Sequence, residues 1–377
     1  MSETPDDVLF ESFDFDDVSL DNRVGLAPMT RTSATDDGRA TEEMARYYAK
    51  FARGGFSFLV SEGVYTDFEY SQGYLNQPGL VSDEQVEAWQ TVTEAVHEAG
   101  APIFAQLMHA GAISQGNSHA DETVGPSAVQ PKGEQAELYG GEGEFPVPKE
   151  LTAEDLDDIK ASFVAAAENA QQAGFDGVEL HAANGYLLNE FLAADANQRE
   201  DEYGGDIESR VRFPTEVLEA VREALPSEFV VGIRVSQEKV NDDEYRWPGA
   251  EDDAEVIFSS LSEAGADYVH VTETDATAPA FGDEGPTLAD LAVSYSAADT
   301  AVVANGGLGD PEAARQTLEA GADLLTLGTS ALSNPDWPQR VAAGDDPDPF
   351  DFENILLPQA TISDHEVPDA DVASLDD

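Results

Sequence analysis

Eight short runs rich in apolar and β-branched residues, at 23–29, 56–65, 102–109, 177–182, 229–236, 267–272, 301–305 and 323–328, alternate along the chain with amphipathic segments. Strands separated by helices pair in parallel, because each crossover helix carries the chain back to the same edge of the sheet. Eight is the number at which such a sheet closes on itself, so the pattern predicts an α/β fold of one (β/α)8 TIM barrel, with a doubly wound open sheet as the alternative. Several helix boundaries are readable. Ser82 with Gln85 forms a capping box, Val86, Trp89, Val92 and Val96 share one face, and Gly100 ends the helix. Thr152 with Asp155 opens another, with Leu156, Ile159, Phe163 and Ala167 turned inward. Asp310 followed by Pro311 opens a third, closed by Gly321.

Three stretches fall outside the repeat. Residues 1–21 precede the first strand and are expected to plug the bottom of the barrel. Residues 111–150 form a long Gly-, Pro- and polar-rich loop after strand three, a length that suits a lid. Beyond Gly344 the chain is acidic and Pro-rich, and partial disorder is expected there. The expected organisation is a barrel over 1–344 and an acidic C-terminal extension over 345–377, with no linker dividing the chain.

Charge narrows the setting. Of 377 residues, 18 are Lys or Arg and 77 are Asp or Glu, a net charge of −59. The acids are spread along the whole chain, from Asp6 and Asp36 to Asp252 and Asp346. In molar salt the Debye length falls to about 3 Å and their repulsion is screened, which reads as adaptation to the salt-rich cytoplasm of an extreme halophile. A surface so poor in cations disfavours nucleic acid as a partner. The absence of cysteine excludes disulfides, iron–sulfur clusters and a thiol nucleophile. The acidic start MSETPDDVLF does not read as a signal peptide, and no apolar run approaches the ~20 residues of a membrane span, so a cytoplasmic location is expected.

In a barrel the chemistry sits where strands end. Strand one leaves through Pro28-Met29-Thr30, which puts a hydroxyl at the mouth, although a turn-forming Thr would look the same. Strand two exits at Gly63, which permits a close backbone approach or marks a bulge. Gln106 lies within apolar strand three and needs hydrogen-bond partners, whether from a ligand or from the barrel interior. Strand four is the richest, with His181, Asn184 and Tyr186 inside six positions. Imidazole and amide can both donate to one oxygen, and each donor aimed at a developing oxyanion is worth roughly 2.7–4 kcal/mol. A nearby phenol could then protonate the adjacent carbon. Arg234 in apolar strand five demands an anionic or electron-rich partner, and a structural ion pair with Glu179 is the competing reading. Gly306-Gly307 and Gly328-Thr329 follow strands seven and eight, where barrels cradle phosphate on backbone N–H groups.

Taken together these residues resemble the old yellow enzyme family of NAD(P)H:flavin oxidoreductases, over roughly residues 8–342. The segments are NRVGLAPMTR (22–31), SEGV (61–64), AQLMHAGAIS (105–114), AGFDGVELHAANGYLLNEFL (173–192), REDEYGGDIESRVRF (199–213), GIRVS (232–236), ANGGL (304–308) and LGTSALSNPDWPQR (327–340). The resemblance implies an FMN-dependent ene-reductase that takes a hydride from NAD(P)H and delivers it to an activated alkene, an α,β-unsaturated carbonyl or nitro compound. It implies that Thr30 lies near flavin O4 and N5, and that Gly63 and the Pro28–Met29 backbone approach the ring edge. Gln106 would meet the pyrimidine ring, Arg234 would balance charge at N1/O2, and Gly306, Gly307, Gly328 and Thr329 would hold the phosphate. His181 and Asn184 would grip the substrate oxygen and Tyr186 would protonate Cα. The chain departs from the family pattern at Thr329, usually Arg, at Met108, often Trp, at Ala112, often Arg, and at Ser209, often Asn. Met108 and Ala112 are expected to widen the pocket.

Other readings stay open: a non-catalytic flavin-binding barrel, and a metal-dependent hydrolase using His109, His181 and His270, although no HxH or HExxH is present. A Schiff-base lysine would have to be Lys239, which reads as a polar-loop residue. The natural alkene, the choice between NADH and NADPH, and the oligomeric state are not encoded legibly.

Overall fold

The structure, a computed structural model, describes residues 7–15 and 18–367. The barrel strands are β1 (Val24–Leu26), β2 (Phe58–Val60), β3 (Ile103–Met108), β4 (Gly177–Asn184), β5 (Val230–Lys239), β6 (Tyr268–Thr272), β7 (Ala301–Asn305) and β8 (Leu324–Leu327). Every neighbouring pair is parallel, from β2 through β1, β8, β7, β6, β5 and β4 to β3, and β3 pairs back to β2, closing the ring. The expected barrel is therefore the observed one.

Strand one is shorter than its expected extent and strand four longer, and two further strands differ in ways that bear on the site. The run at 56–65 is broken into β2 and a short continuation, Val64–Tyr65, which also pairs with β3. The break has a local cause. Ser61 Oγ accepts the N–H of Gln106, and buried Glu62 turns to accept the N–H groups of Arg31 and Thr32 at 3.0 and 3.1 Å. β5 runs on to Lys239, which is thus a buried strand-end residue and not part of a polar loop. Its ammonium is ion-paired with Asp195 at 2.5 Å and lies 3.9 Å from the Tyr245 ring centre.

The capping boxes read from sequence form at Ser82 and Thr152, opening helices Asp83–Glu98 and Ala153–Gln172, and Asp310 caps Pro311–Glu319. The helices bury Trp89, Phe163, Phe213, Phe258 and Trp337 against the outside of the barrel. Each such side chain contributes about 1.5–3 kcal/mol of transfer free energy. The hairpin Phe13–Phe15 and Val18–Leu20 puts Phe15 and Leu20 onto Phe58, Phe104 and Tyr268, closing the bottom as expected.

The expectation of partial disorder after Gly344 is corrected for residues 345–367. They fold back on the barrel, with a helix at Phe352–Leu356 and with Ile355, Ala360 and Ile362 buried. The anchor is electrostatic. Arg31 is fully buried, and its guanidinium donates to Glu366 at 2.7 and 2.6 Å, to Ala360 O at 3.2 Å and to Thr361 O at 2.8 Å. Composition hid this because one carboxylate among many acids does the anchoring. Residues 368–377 lie outside the described residues. Among the described residues no helix is long and apolar enough to cross a membrane.

Candidate active site

A cavity of about 420 Å3 opens at the C-terminal ends of the strands, within the range of roughly 300–1,000 Å3 usual for small-molecule sites. Its walls include Pro28, Met29 and Thr30 from the exit of β1, Gln106 from β3, and His181, Asn184 and Tyr186 from and after β4. Arg234 of β5, Gly306 and Gly307 after β7, and Gly328 and Thr329 after β8 complete the set of expected residues on it. Gly63 is not on the wall. A Cβ there would meet Met108 Sδ at 2.6 Å, so Gly63 sits beneath Met108, and its carbonyl accepts from Gln77 Nε2 at 2.7 Å.

Beneath the cavity the barrel interior is polar and internally bonded. Glu179 accepts from Gln106 Nε2 at 2.8 Å and Tyr268 OH at 3.1 Å, and meets His270 Nδ1 at 2.7 Å. His270 Nε2 in turn meets Thr326 Oγ1 at 2.8 Å. Burial pushes the Glu179 carboxyl up, but His270, Arg234 and Gln106 outweigh it and hold the group at about 2. Arg234 is not hydrogen-bonded to Glu179, contrary to the competing sequence reading. It donates to Thr272 Oγ1 at 3.0 Å and Asn305 Oδ1 at 2.7 Å, and its buried Nε has no partner. A buried cation with a donor to spare, on the wall of a cavity, suits an electron-rich ligand edge.

The β4 trio converges. The His181 and Tyr186 rings are 4.8 Å apart, and Nδ1 of His181 is buried without a partner. Burial and the nearby Arg234 push the His181 pKa down to about 3, so its imidazole is neutral and presents one N–H. Asn184 has a left-handed backbone, φ 64°, with its N–H donated to Ser236 Oγ at 2.7 Å. This kink turns the chain out of β4 and starts the helix Leu187–Leu192 just after Tyr186. The Tyr186 hydroxyl lies 2.5 Å from that of Tyr74, and burial raises its pKa well above the ordinary phenol value.

Sequence reasoning missed Tyr74, which comes from the irregular segment after β2 and carries no strand or helix signal. It also missed as wall residues Arg31, which follows Thr30, and Leu356, which the fold of the C-terminal segment brings there. Tyr139 and Phe145 of the long loop line the cavity, as a lid requires. Met108 lines it as expected, but Ala112 does not. Ala112 faces a separate cavity, and its N–H donates to Glu190 at 2.8 Å. His109, His181 and His270 do not form a metal-ligand set. His109 accepts from the Gly111 N–H at 3.2 Å, and among the described residues no three His, Cys, Asp or Glu side chains are grouped to hold a metal.

Comparison with known proteins identifies the family and agrees with the fold. The model of the NADH:flavin oxidoreductase / NADH oxidase family matches residues 8–347. A probable flavin mononucleotide-dependent alkene reductase of Leishmania infantum is 36% identical over 345 residues, which cover 88% of this chain and 90% of that one. The solved old yellow enzyme homologue of Zymomonas mobilis superposes with a TM-score of 0.84 at 31% identity, covering 96% of this chain and 98% of that one. Morphinone reductase in complex with tetrahydroNAD gives 0.79 at 31% identity, covering 92% of each chain.

Proposed function

The chain belongs to the NADH:flavin oxidoreductase / NADH oxidase family, and we propose that it is an FMN-dependent ene-reductase acting on α,β-unsaturated carbonyl or nitro compounds. One observation carries the reading: His181, Asn184 and Tyr186 share a single cavity with the glycine exits of β7 and β8. FMN bound there would supply the redox chemistry, hydride transfer from NAD(P)H to the alkene Cβ.

The residues present fit that cofactor. Gly306 (φ 134°) and Gly307 (φ 64°) have backbones that residues with a side chain rarely adopt, and a Cβ on Gly306 would lie 2.0 Å from Glu273 O. With Gly328 and Thr329 they would hold the phosphate on backbone N–H groups. The Thr329 hydroxyl replaces the charge an arginine would bring, which costs little in a solution where exposed charges are screened. Pro28, Met29 and Thr30 would border the ring, Gln106 would face its polar edge, and the unpartnered Arg234 Nε would complement negative charge there.

The neutral His181 imidazole and the Asn184 amide would hold the substrate oxygen and polarise the alkene. Tyr186 would give its proton to Cα. A phenol with a raised pKa keeps its proton until a strong base develops, and Tyr74 can donate to the oxygen left behind. Met29, Tyr139, Phe145 and Leu356 offer an apolar wall to the body of the alkene. The charge of −59 supports a working solution of molar salt and a cytoplasmic location in a halophile.

The test is spectroscopic and kinetic. The purified protein in molar salt is expected to be yellow and to bleach anaerobically with NADH or NADPH. Tyr186→Phe is expected to slow enone reduction while keeping NAD(P)H oxidation. A colourless protein that takes up no FMN would end the reading, and enone turnover by Tyr186→Phe equal to that of the wild type would remove Tyr186 as donor.

A further inference from the structure

A second cavity, of about 170 Å3, lies behind the long loop, between residues 126–132, the helix that follows Tyr186 and the end of β5. Glu190 reaches it from that helix and is only 4% exposed. One of its oxygens, Oε1, accepts the Ala112 N–H, while Oε2 is buried with no partner. Asn241 Oδ1, on the same cavity, is also buried without a donor. Two buried acceptors without donors, on residues that line one cavity, break the usual rule that buried polar atoms are satisfied.

The charges around the space do not cancel. Asp195 is ion-paired with Lys239 and Asp242 with Lys132, each at 2.5 Å. Glu190 has no ion-pair partner, so its ionisation would put one uncompensated carboxylate in the cavity. Burial pushes its pKa up to about 8, the cost of ionising there without a counter-charge. Gly111 and Gly125 crowd close to the same carboxylate, where added Cβ atoms would lie 2.6 and 3.4 Å from Oε2. Ala112 ends at Cβ on the cavity wall and leaves the space to a ligand.

We propose that this cavity binds a small monovalent cation, of potassium or guanidinium character, between Glu190 Oε2 and Asn241 Oδ1. A single positive charge completes the balance, and two free acceptors with room for several waters suit a weakly hydrated ion. A divalent ion would overcharge a cavity with one spare carboxylate. The bound ion would tie the helix that begins beside Tyr186 to the segment after β5, whose Asn241 Nδ2 donates to Lys132 O of the long loop at 3.1 Å. The assignment rests on the second cavity alone and is independent of the reaction proposed for the first.

The experiment measures the thermal midpoint of the full-length protein at fixed total chloride, with potassium replaced stepwise by N-methylglucammonium. The many surface acids respond to any cation, so the readout is the difference between wild type and Glu190→Gln, in which those acids are unchanged. Wild type is expected to show an additional saturable rise with potassium, of about 2–5 °C, that Glu190→Gln lacks. Ala112→Arg supplies a tethered guanidinium in the same space and is expected to lose the potassium response as well. Identical cation responses in wild type and Glu190→Gln would overturn the proposal and make Glu190 a neutral carboxyl beside trapped water. An undiminished response in a folded Ala112→Arg would count against it equally.

Discussion

Glu366→Gln probes the wall that the C-terminal segment adds to the active site. The side chains of Arg31 and Glu366 are 0% and 3% exposed, so the pair is screened by neither water nor salt. Removing one partner of a buried ion pair costs roughly 3–5 kcal/mol, because the other charge is left uncompensated. Arg31 would keep Ala360 O and Thr361 O as acceptors, and its guanidinium lies 5.1 Å from the Tyr47 ring centre. The lower end of that range, about 3 kcal/mol, is therefore expected, equivalent to roughly a hundredfold in an opening equilibrium. The cost falls on docking of 345–367 more than on the barrel, whose strands make their own ladder. Hydrogen exchange at pH 7 is expected to accelerate about a hundredfold in peptides covering 352–367 and to change little in β4 and β5. The pH dependence has a definite sign. Burial pushes the Glu366 carboxyl up, but the Arg31 hydrogen bonds and charge and the nearby Lys50 outweigh it and hold it below its ordinary value. Its stabilisation is thus complete above the unfolded carboxyl pKa and is lost as pH falls through the lower folded one, a slope Gln cannot show. Exchange in 352–367 within threefold of wild type, with the acid slope retained, would refute the reasoning.

Gly306→Ala would force a left-side backbone, φ 134°, on a residue with Cβ and drive that atom into Glu273 O, so flavin retention is expected to fail, read from the ratio of flavin to protein absorbance. His181→Asn tests a neutral imidazole. The folded pKa of about 3 lies below the unfolded ~6.5, so His181 adds stability above pH ~6.5 that drains away as pH falls toward 3. Denaturant titrations of the Asn variant are expected to lack up to about 1.4 kcal/mol per pH unit of that slope, and an unchanged slope would mean the imidazole is protonated in the fold. Tyr74→Phe strips the Tyr186 hydroxyl of its partner, costing about 1 kcal/mol. Enone turnover is expected to drop severalfold while anaerobic flavin reduction by NAD(P)H stays unchanged, and equal losses in both half-reactions would contradict the assigned role.

The barrel was legible because its strands are buried on both faces, so each is a continuous apolar run bounded by turn residues. Ala301–Asn305 matches the expected 301–305, whereas the run at 56–65 hid a break made by the side chains of Ser61 and Glu62. Helix starts at Ser82, Thr152 and Asp310 were legible because a cap is a local hydrogen bond over two or three residues. Cavity-wall residues at strand exits were legible because topology carries the exits to one rim, Gly63 beneath Met108 being the exception. What sequence could not supply were partners distant in the chain. Tyr74 meets Tyr186 across 112 positions and Arg31 meets Glu366 across 335, and nothing near either residue announces the other. The placement of Ala112 failed differently. The expectation put it on the main cavity, but the 3-10 turn at Gly111–Ile113 turns it toward Glu190.

The Arg31–Glu366 bond also has a consequence in time. A ribosome builds Arg31 early and Glu366 335 positions later. Until that carboxylate emerges, all eight staves can assemble around an arginine with no counter-ion and a mouth missing one side. A nascent chain can therefore complete its scaffold before it owns a finished site.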